Sequence, residues 1–251
     1  MKYIFPRKAG RANLVKMLFV DTSAKLANVF VTEDGKLLSA GFDSGEKTHA
    51  SMLLPVIDRA LGDAGLKLEE TDVIGVTNGP GSYTGLRIAI ACAKMLAYGA
   101  KKPLVTVNTL DFLAGSAARK EDGDVLALLD ARNTLCFYGL YSAQNGVLKS
   151  ITGVRSDYTE DIIKLILSRE NSGKRLILCG DGAVKNREAL ESGLSNVYFP
   201  EANVITGTPE GAWRCVKEKM DVSQDANDFL PEKAAADYFK EVHITLRSAE
   251  K

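Results

Sequence analysis

Apolar and polar positions follow two different periods along this chain, and the changes of period mark its elements. Met17–Asp21 is an unbroken apolar run closed by an acid. Leu26–Thr32 and Lys36–Phe42 read as two further strands, with Glu33-Asp34-Gly35 between them as a hairpin turn. The period then becomes helical. Met52, Leu53, Val56, Ile57, Ala60 and Leu61 share helical spacing, Thr48 or Ser51 can cap the start, Pro55 sits near the first turn, and Gly62 and Gly65 close the helix. Asp72–Asn78 reads as a buried strand, Gly79–Gly85 as a glycine-rich loop, Leu86–Tyr98 as a helix, Pro103–Asn108 as a strand and Thr109–Arg119 as a helix. After the charged break Lys120–Asp124 the strand pattern restarts over Val125–Asp130, Leu135–Tyr141 and Val147–Val154. Helix Thr159–Ser168, strand Arg175–Cys179, helix Val184–Glu191, a short strand at Val197–Phe199 and helices near Pro209–Met220 and Pro231–Val242 complete the pattern.

The two halves repeat one order: three strands, a helix, a strand and a helix. In each, the first strand ends in an aspartate, Asp21 or Asp130. Antiparallel strands followed by strand–helix alternation predict an α/β protein of two related lobes. This is the pattern of a duplicated ribonuclease H-like unit, the architecture of the actin, hexokinase and Hsp70 (ASKHA) superfamily. The expected lobes are residues 17–122 and 123–251, with the last helix returning to the first lobe. Residues 1–16 carry Lys2, Arg7, Lys8, Arg11 and Lys16, no acid, and no apolar stretch of the secretory kind. They read as an extension ahead of a functional start at Met17.

Composition narrows the function classes. The 251 residues are 45% hydrophobic and 25% charged, which excludes a disordered or collagen-like chain. The 32 basic and 32 acidic residues cancel, so no global charge attracts nucleic acid, and any RNA would be held mainly by something else. No run reaches the length of a membrane span. Cys92, Cys136, Cys179 and Cys215 are far apart, form no CxxC pair and suit reduced thiols in a cytosol. Two histidines, His49 and His243, make a multi-histidine metal centre hard to build.

Candidate chemistry concentrates at the strand ends. Gly79, Gly81, Ser82, Thr84 and Gly85 lead from a strand into a helix, where free N–H groups and the helix dipole can hold an anion. The same glycines equally serve a tight turn, and no lysine stands where a Walker loop needs one. Asp21 and Asp130 can hold magnesium through water or simply cap their turns. The residues after Asp21 include no glycine to bring backbone up to a phosphate. His49, Ser51 and Asp58 lie too close in sequence to be read as a hydrolytic triad, and a histidine at a helix start reads as structural. Leu86–Tyr98 is apolar on most sides, with Arg87 and Lys94 its only charges. Such a helix is buried on more than one side. One side meets its own sheet; the rest meets either its own lobe or a partner helix, whose approach Ala89, Ala91 and Ala93 would permit.

The stretch Asn78–Ile88 (NGPGSYTGLRI) resembles the signature of the TsaB (YeaZ) family, the accessory subunit in bacterial synthesis of the threonylcarbamoyl modification of tRNA. The resemblance continues through Ala93–Ala97, Pro103-Leu104 and Val107–Leu110. It includes Val20–Ser23, His49 with Leu53-Leu54-Pro55, and Asp130-Ala131-Arg132, and more loosely Gly180–Ala183 and Phe229–Pro231. Thr134-Leu135 and Ala89 depart from the family's usual Gly-Glu and Gly, which weakens a site around Arg132. The resemblance implies a non-catalytic subunit. The catalytic paralogue, TsaD, carries a His-x-x-x-His metal pair after a Val-Asn strand end, and Thr109 and Leu113 stand in those positions here. It also implies a partner surface on the two first-lobe helices, at Met52, Leu53, Val56, Ile57, Ala60, Leu86, Ala89, Ile90, Ala93 and Ala97. That surface would form a homodimer alone or pair with TsaD. A TsaE-like ATPase and tRNA would be reached only through the complex, in the cytoplasm. No intrinsic cofactor is implied beyond weak ATP or ADP binding at a vestigial site of Asp21, Gly79, Gly81, Ser82, Thr84, Gly85 and Asp130. The supported reaction would be threonylcarbamoyl transfer to N6 of the adenosine 3′ of the anticodon. Two alternatives stand beside it. An autonomous ASKHA phosphotransferase needs a glycine-bearing phosphate hairpin after Asp21, and a metallopeptidase-like "glycoprotease" needs metal ligands.

Overall fold

Apolar runs with no polar face become strands covered on both sides. In the computed structural model, which describes residues 14–24, 26–43, 49–118, 123–144, 147–169, 175–201, 206–223 and 225–238, these runs build two sheets of like topology. In the first, β1 (Lys16–Asp21) pairs antiparallel with β2 (Ala27–Glu33), which pairs antiparallel with β3 (Lys36–Asp43). On its other side β1 runs parallel to β4 (Val73–Gly79), and β4 to β5 (Leu104–Asn108). In the second, β6 (Gly123–Asp130) pairs antiparallel with β7 (Leu135–Gln144), whose far edge takes β8 (Val147–Ser150) and β9 (Arg155–Tyr158). Parallel to β6 lie β10 (Leu176–Cys179) and then β11 (Val197–Tyr198). Order and direction therefore repeat: β6 stands for β1, β7 for β2, β8 with β9 for β3, β10 for β4 and β11 for β5.

The helices are α1 (His49–Asp63), α2 (Tyr83–Ala100), α3 (Thr109–Ala117), α4 (Thr159–Ser168), α5 (Asp181–Lys185), α6 (Arg187–Gly193) and α7 (Pro209–Val222). Side-chain alternation along each strand assigns them to layers. In β1, Leu18 and Val20 join an outer core with Leu53, Ile57, Ala89 and Ala93 of α1 and α2. Met17 and Phe19 face the other way, into a central core with Phe112 of α3, Val216 of α7, and Val125, Ala127 and Leu129 of β6. Leu126 and Leu128 face outward again, onto Ile162 and Leu190 of α4 and α6. The molecule is thus a five-layer stack in which α3 and α7 lie between the two sheets. Among the described residues no helix is long and apolar enough to cross a membrane, and the four cysteines are free.

Several boundaries differ from the sequence pattern. The strand expected at Val147–Val154 ends at Ser150, Ile151–Val154 turns through Gly153 at φ +66°, and β9 follows as a strand the pattern did not predict. The helix expected at Val184–Glu191 is broken at Asn186, whose amide donates back to the Gly182 carbonyl at 2.8 Å. Where a helix is expected from Pro231, a 3-10 turn (Pro231–Lys233) is followed by non-helical chain to Tyr238; the remainder to Val242 lies outside the described residues. This segment returns to the first lobe as a strap. Lys94 Nζ donates to the carbonyls of Ala234 (3.0 Å) and Glu232 (3.4 Å), and the Asp237 N–H donates to the Asn78 carbonyl (2.7 Å).

The start of the first lobe also moves. Residues 1–13, and the break at 119–122, lie outside the described residues. Val15 and Lys16, placed by sequence in the extension, are part of the fold. Lys16 opens β1 opposite Glu33, and its N–H donates to Asp72 Oδ2 at 2.8 Å. The Val15 N–H donates to Asp34 Oδ1 at 3.0 Å, and its carbonyl accepts from the Asp34 N–H at 2.9 Å. A chain starting at Met17 should therefore be less stable than one starting at Leu14 by about 2 kcal/mol, the sum of a few net hydrogen bonds. Urea denaturation of the two truncations checks this, and equal midpoints would show that Val15 and Lys16 contribute nothing.

Candidate functional site

Asp21 ends β1 where the sequence places a carboxylate for phosphate or metal. The structure buries it at 2% exposure and satisfies it from within. Oδ1 accepts from Thr77 Oγ1 (2.6 Å) and from the Ser23 N–H (3.0 Å), and Oδ2 accepts from Asn28 Nδ2 (3.3 Å). Thr77 on β4 and Asn28 on β2 are themselves buried. A buried carboxylate persists only with such donors, and these hold it in the protein interior. Sequence spacing gives no sign of the Thr77 and Asn28 contacts, because their partner lies on another strand.

The glycine loop is shorter than its composition suggests. Ser82 caps α2 by accepting from the Gly85 N–H at 3.2 Å, so Tyr83, Thr84 and Gly85 already belong to the helix. Thr22 Oγ1 donates to the Gly85 carbonyl at 2.7 Å, and the Ser82 N–H donates to the Ser23 carbonyl at 2.7 Å. A Cβ on Gly85 would stand 2.2 Å from the Thr22 carbonyl oxygen, and one on Gly81 2.6 Å from that of Ser23. A Cβ on Gly79 would meet the Asp237 carbonyl of the strap at 2.1 Å. At these three glycines the chain's own backbone takes the place of a side chain, so the tight turn requires glycine.

Asp130 occupies the matching place at the end of β6 and is in a different state. Lys185 Nζ lies 2.7 Å from its Oδ2, the Arg132 N–H donates to Oδ1 at 3.0 Å, and its own N–H donates to Asp181 Oδ1 at 3.0 Å. Burial alone would raise the Asp130 pKa. The Lys185 ammonium and the Arg132 N–H outweigh it and hold the carboxyl below its usual range. Burial wins at Asp181, whose pKa is raised despite the Asp130 N–H. The hairpin beyond is strained: Arg132, Asn133 and Thr134 have φ of +76°, +51° and +61° in succession. Thr159 pins it by donating to the Thr134 carbonyl from both its N–H and its hydroxyl, each at 3.0 Å.

At the β5–α3 junction, Asn108 caps α3 by accepting from the N–H groups of Leu110 (2.8 Å) and Asp111 (3.3 Å). Thr109 is fully buried and its Oγ1 has no hydrogen-bond partner among the described residues. Leu113 is buried against the backbone of Gly180, whose Cβ would stand 3.3 Å from Leu113 Cδ1. Leu113 belongs to the central core that the two sheets share. His49 opens α1.

The expected partner surface needs correction. Leu53, Val56, Ile57, Ala60, Leu86, Ala89, Ile90, Ala93 and Ala97 are all buried within the single chain, and Met52 is half-buried. All of them except Leu86 and Met52 belong to the seam that joins α1, α2 and the first sheet. Ala89, Ala93 and Ala97 let α2 approach its own sheet and α1, while Ala91 is exposed. The face of α2 that meets water carries Arg87, Ala91, Met95 and Tyr98, with Tyr83 at its start. The Tyr83 ring is engaged by Tyr238 of the strap (4.8 Å between centroids) and by the Arg87 guanidinium. The spacing Arg87–Ala91–Met95–Tyr98 is readable in the sequence. Which of two apolar sides faces outward depends on where α1 packs, which is not.

Two substitutions test this description. Gly85→Ala should destabilise the chain by about 2 kcal/mol, because its Cβ meets backbone that cannot yield cheaply. Thr134→Gly should stabilise it by about 1 kcal/mol, the relief of a β-branched residue at positive φ less the entropy a glycine adds to the unfolded chain. Denaturation midpoints measure both. An unchanged Gly85→Ala protein would show that α2 is not seated on Thr22.

Comparison with known proteins agrees with this geometry. The family model described as TsaD, tRNA N6-adenosine threonylcarbamoyltransferase, matches residues 43–235, well over half of the chain. The tRNA threonylcarbamoyladenosine biosynthesis protein TsaB of Buchnera aphidicola subsp. Schizaphis graminum is 29% identical over 192 residues, 75% of this chain and 90% of that protein. Among solved structures, a Pseudomonas aeruginosa protein described as uncharacterized with similarity to peptidase YEAZ superposes with a TM-score of 0.73 at 24% identity, covering 90% of this chain and 99% of that one. Component A of the Acidaminococcus fermentans (R)-2-hydroxyglutaryl-CoA dehydratase reaches 0.50 at 12% identity, covering 82% and 99%, and shows the wider ASKHA fold alone. By the family-model match the chain belongs to the TsaD family of that model, and its relatives place it with the TsaB (YeaZ) proteins.

Proposed function

We propose that the chain serves tRNA threonylcarbamoyladenosine biosynthesis as a non-catalytic subunit. It docks a TsaD-type catalytic partner and so supports threonylcarbamoyl transfer to N6 of the adenosine 3′ of the anticodon. The water-facing side of α2 carries this reading. Met95 is 54% and Tyr98 69% exposed, Leu54 of α1 is exposed as well, and Arg87 and Ala91 continue the α2 stripe at helical spacing. A helix with one side in its own core and a second, partly apolar side facing water offers a seat for a partner helix. Met, Arg and aromatic residues are the types enriched at such contacts. The same side serves a homodimer when no partner is present. TsaE-like ATPase and tRNA reach the chain through the complex, in the cytoplasm.

Two features favour a scaffold over a catalyst. Thr109 and Leu113, where the resemblance places the paralogue's metal pair, are both buried, and Leu113 belongs to the core the two sheets share. Asp21 is consumed by internal hydrogen bonds. Weak ATP or ADP binding, and with it the phosphotransferase alternative, draws less support, since no glycine follows Asp21 to bring backbone up to a phosphate.

A pair of neighbouring substitutions separates core from contact. Met95→Glu should leave the isolated chain within about 0.5 kcal/mol of the parent, as exposed positions do. It should also weaken co-purification with a TsaD-type protein by about tenfold or more. Ala93→Glu should instead unfold or severely destabilise the isolated chain, by about 3–5 kcal/mol, because it puts an unpaired carboxylate in the α1–α2–sheet seam. Calorimetric binding beside a circular dichroism melt reads both. Normal binding by folded Met95→Glu would remove this side of α2 from the interface.

A further inference from the structure

The strap is fastened to α2 along one flank of the helix. Ala234 is buried and Ala236 half-buried against the outer core, while Ala235 and Asp237 between and beyond them are exposed, so the segment alternates like a strand. Lys94 Nζ holds the strap's carbonyls, and the Asp237 N–H holds the end of β4. Tyr238 then comes to rest on Tyr83, with 4.8 Å between ring centroids. Tyr83 and Lys94 stand one turn before and two turns after Arg87 on the same side of the helix. The strap therefore meets α2 on both sides of Arg87, at the edge of the face that meets water.

Arg87 is the charge this arrangement leaves over. α2 carries Arg87 and Lys94 and no acid, and Lys94 is committed to the strap carbonyls. Arg87 donates from Nη1 to the Tyr83 hydroxyl at 2.8 Å and lies over the same ring, 5.3 Å from its centroid. That occupies one of the five N–H donors of a guanidinium. The side chain is exposed, and its other donors have no partner among the described residues. A guanidinium stacked on an aromatic ring is held in place with its remaining edge open, and such an edge takes a carboxylate through two parallel hydrogen bonds. Tyr83 is 56% exposed at the start of its helix, and Tyr238 is the second ring that steadies it. Orientation thus passes from the strap to Tyr83 and from Tyr83 to Arg87.

Resting on the docking side of α2 proposed above, we infer that Tyr238 of the strap, acting through Tyr83, positions Arg87 as the charged anchor of that side. The partner helix presents a carboxylate to Arg87, beside apolar residues that cover Met95 and Tyr98. Arg87 is the binding residue and Tyr238 a positioning residue. The strap is then part of the docking surface as well as cover for the outer core.

Calorimetric titration of the full chain with the TsaD-type protein of the same cell, at low and high salt, tests this. Binding by the parent should weaken as salt rises. Arg87→Ala should weaken low-salt binding about tenfold and remove most of the salt dependence, while circular dichroism confirms folding. Tyr238→Ala should weaken binding about fivefold, and Tyr238→Phe, which keeps the ring, should bind like the parent. Tyr238→Ala should add nothing to Arg87→Ala, because its effect passes through Arg87. A merely structural role for Tyr238 would lower binding alike with and without Arg87, and that result would overturn the positioning role. Unchanged binding by folded Arg87→Ala, with Met95→Glu still disruptive, would overturn the anchor and leave the docking side of α2 standing. Normal binding by both variants, or none by the parent, would overturn the two together. Should Tyr238→Ala fail to fold, Tyr83→Leu, which removes the ring between Arg87 and the strap, asks the same question.

Discussion

The two lobes depend on one close helix crossing. Gly211 of α7 lies against Ser116 of α3, so near that a Cβ on Gly211 would stand 2.1 Å from Ser116 Oγ and 2.7 Å from its backbone nitrogen. Ser116 Oγ is fixed there, donating to the Phe112 carbonyl at 2.8 Å and accepting from the Thr208 N–H at 2.9 Å. A glycine at this point lets two helices share a layer one helix thick. Both sheets can then bury their inner faces on the same pair. Phe112 packs on Phe19 of the first sheet at 5.1 Å between centroids and belongs to one core with Val125 and Ile177 of the second. Lobes that share side chains in this way do not have independent cores, and close-packed interiors transmit displacement rather than absorb it. The molecule is therefore built around one core that both lobes share.

That architecture was legible where burial on both faces erases the polar period. Met17–Asp21, Asp72–Asn78 and Val125–Asp130 read as strands for this reason, and their matching order exposed the duplication. Legibility ended where partners come from afar. The Val147–Val154 run pairs only as far as Ser150, opposite Tyr141–Gln144, and the polar stretch Arg155–Tyr158 becomes a strand because β7 offers it a second pairing site opposite Leu135–Tyr138. The helical spacing after Pro231 yields to hydrogen bonds from Lys94 and to the Asn78 carbonyl, which draw the chain out along α2. On α2 itself the sequence showed two apolar sides, but only the position of α1 determines that the alanine side is core and the Met95–Tyr98 side is not.

Duplication also makes the two lobes controls for each other. Asp21 and Asp130 hold the same topological position, yet one is 2% exposed with Thr77, Ser23 and Asn28 as donors, while the other reaches solvent and is paired with Lys185. Withdrawing Asp21 from its donors would leave a buried Thr77 hydroxyl and Asn28 amide short of partners, a cost comparable to the desolvation of each group. At the first-lobe strand end, then, the carboxylate contributes to stability and is no longer free for a ligand. The second-lobe strand end stays open and carries the strained hairpin that Thr159 holds in place. On the function proposed above, recognition falls to a place the duplication does not constrain, the outer side of α2.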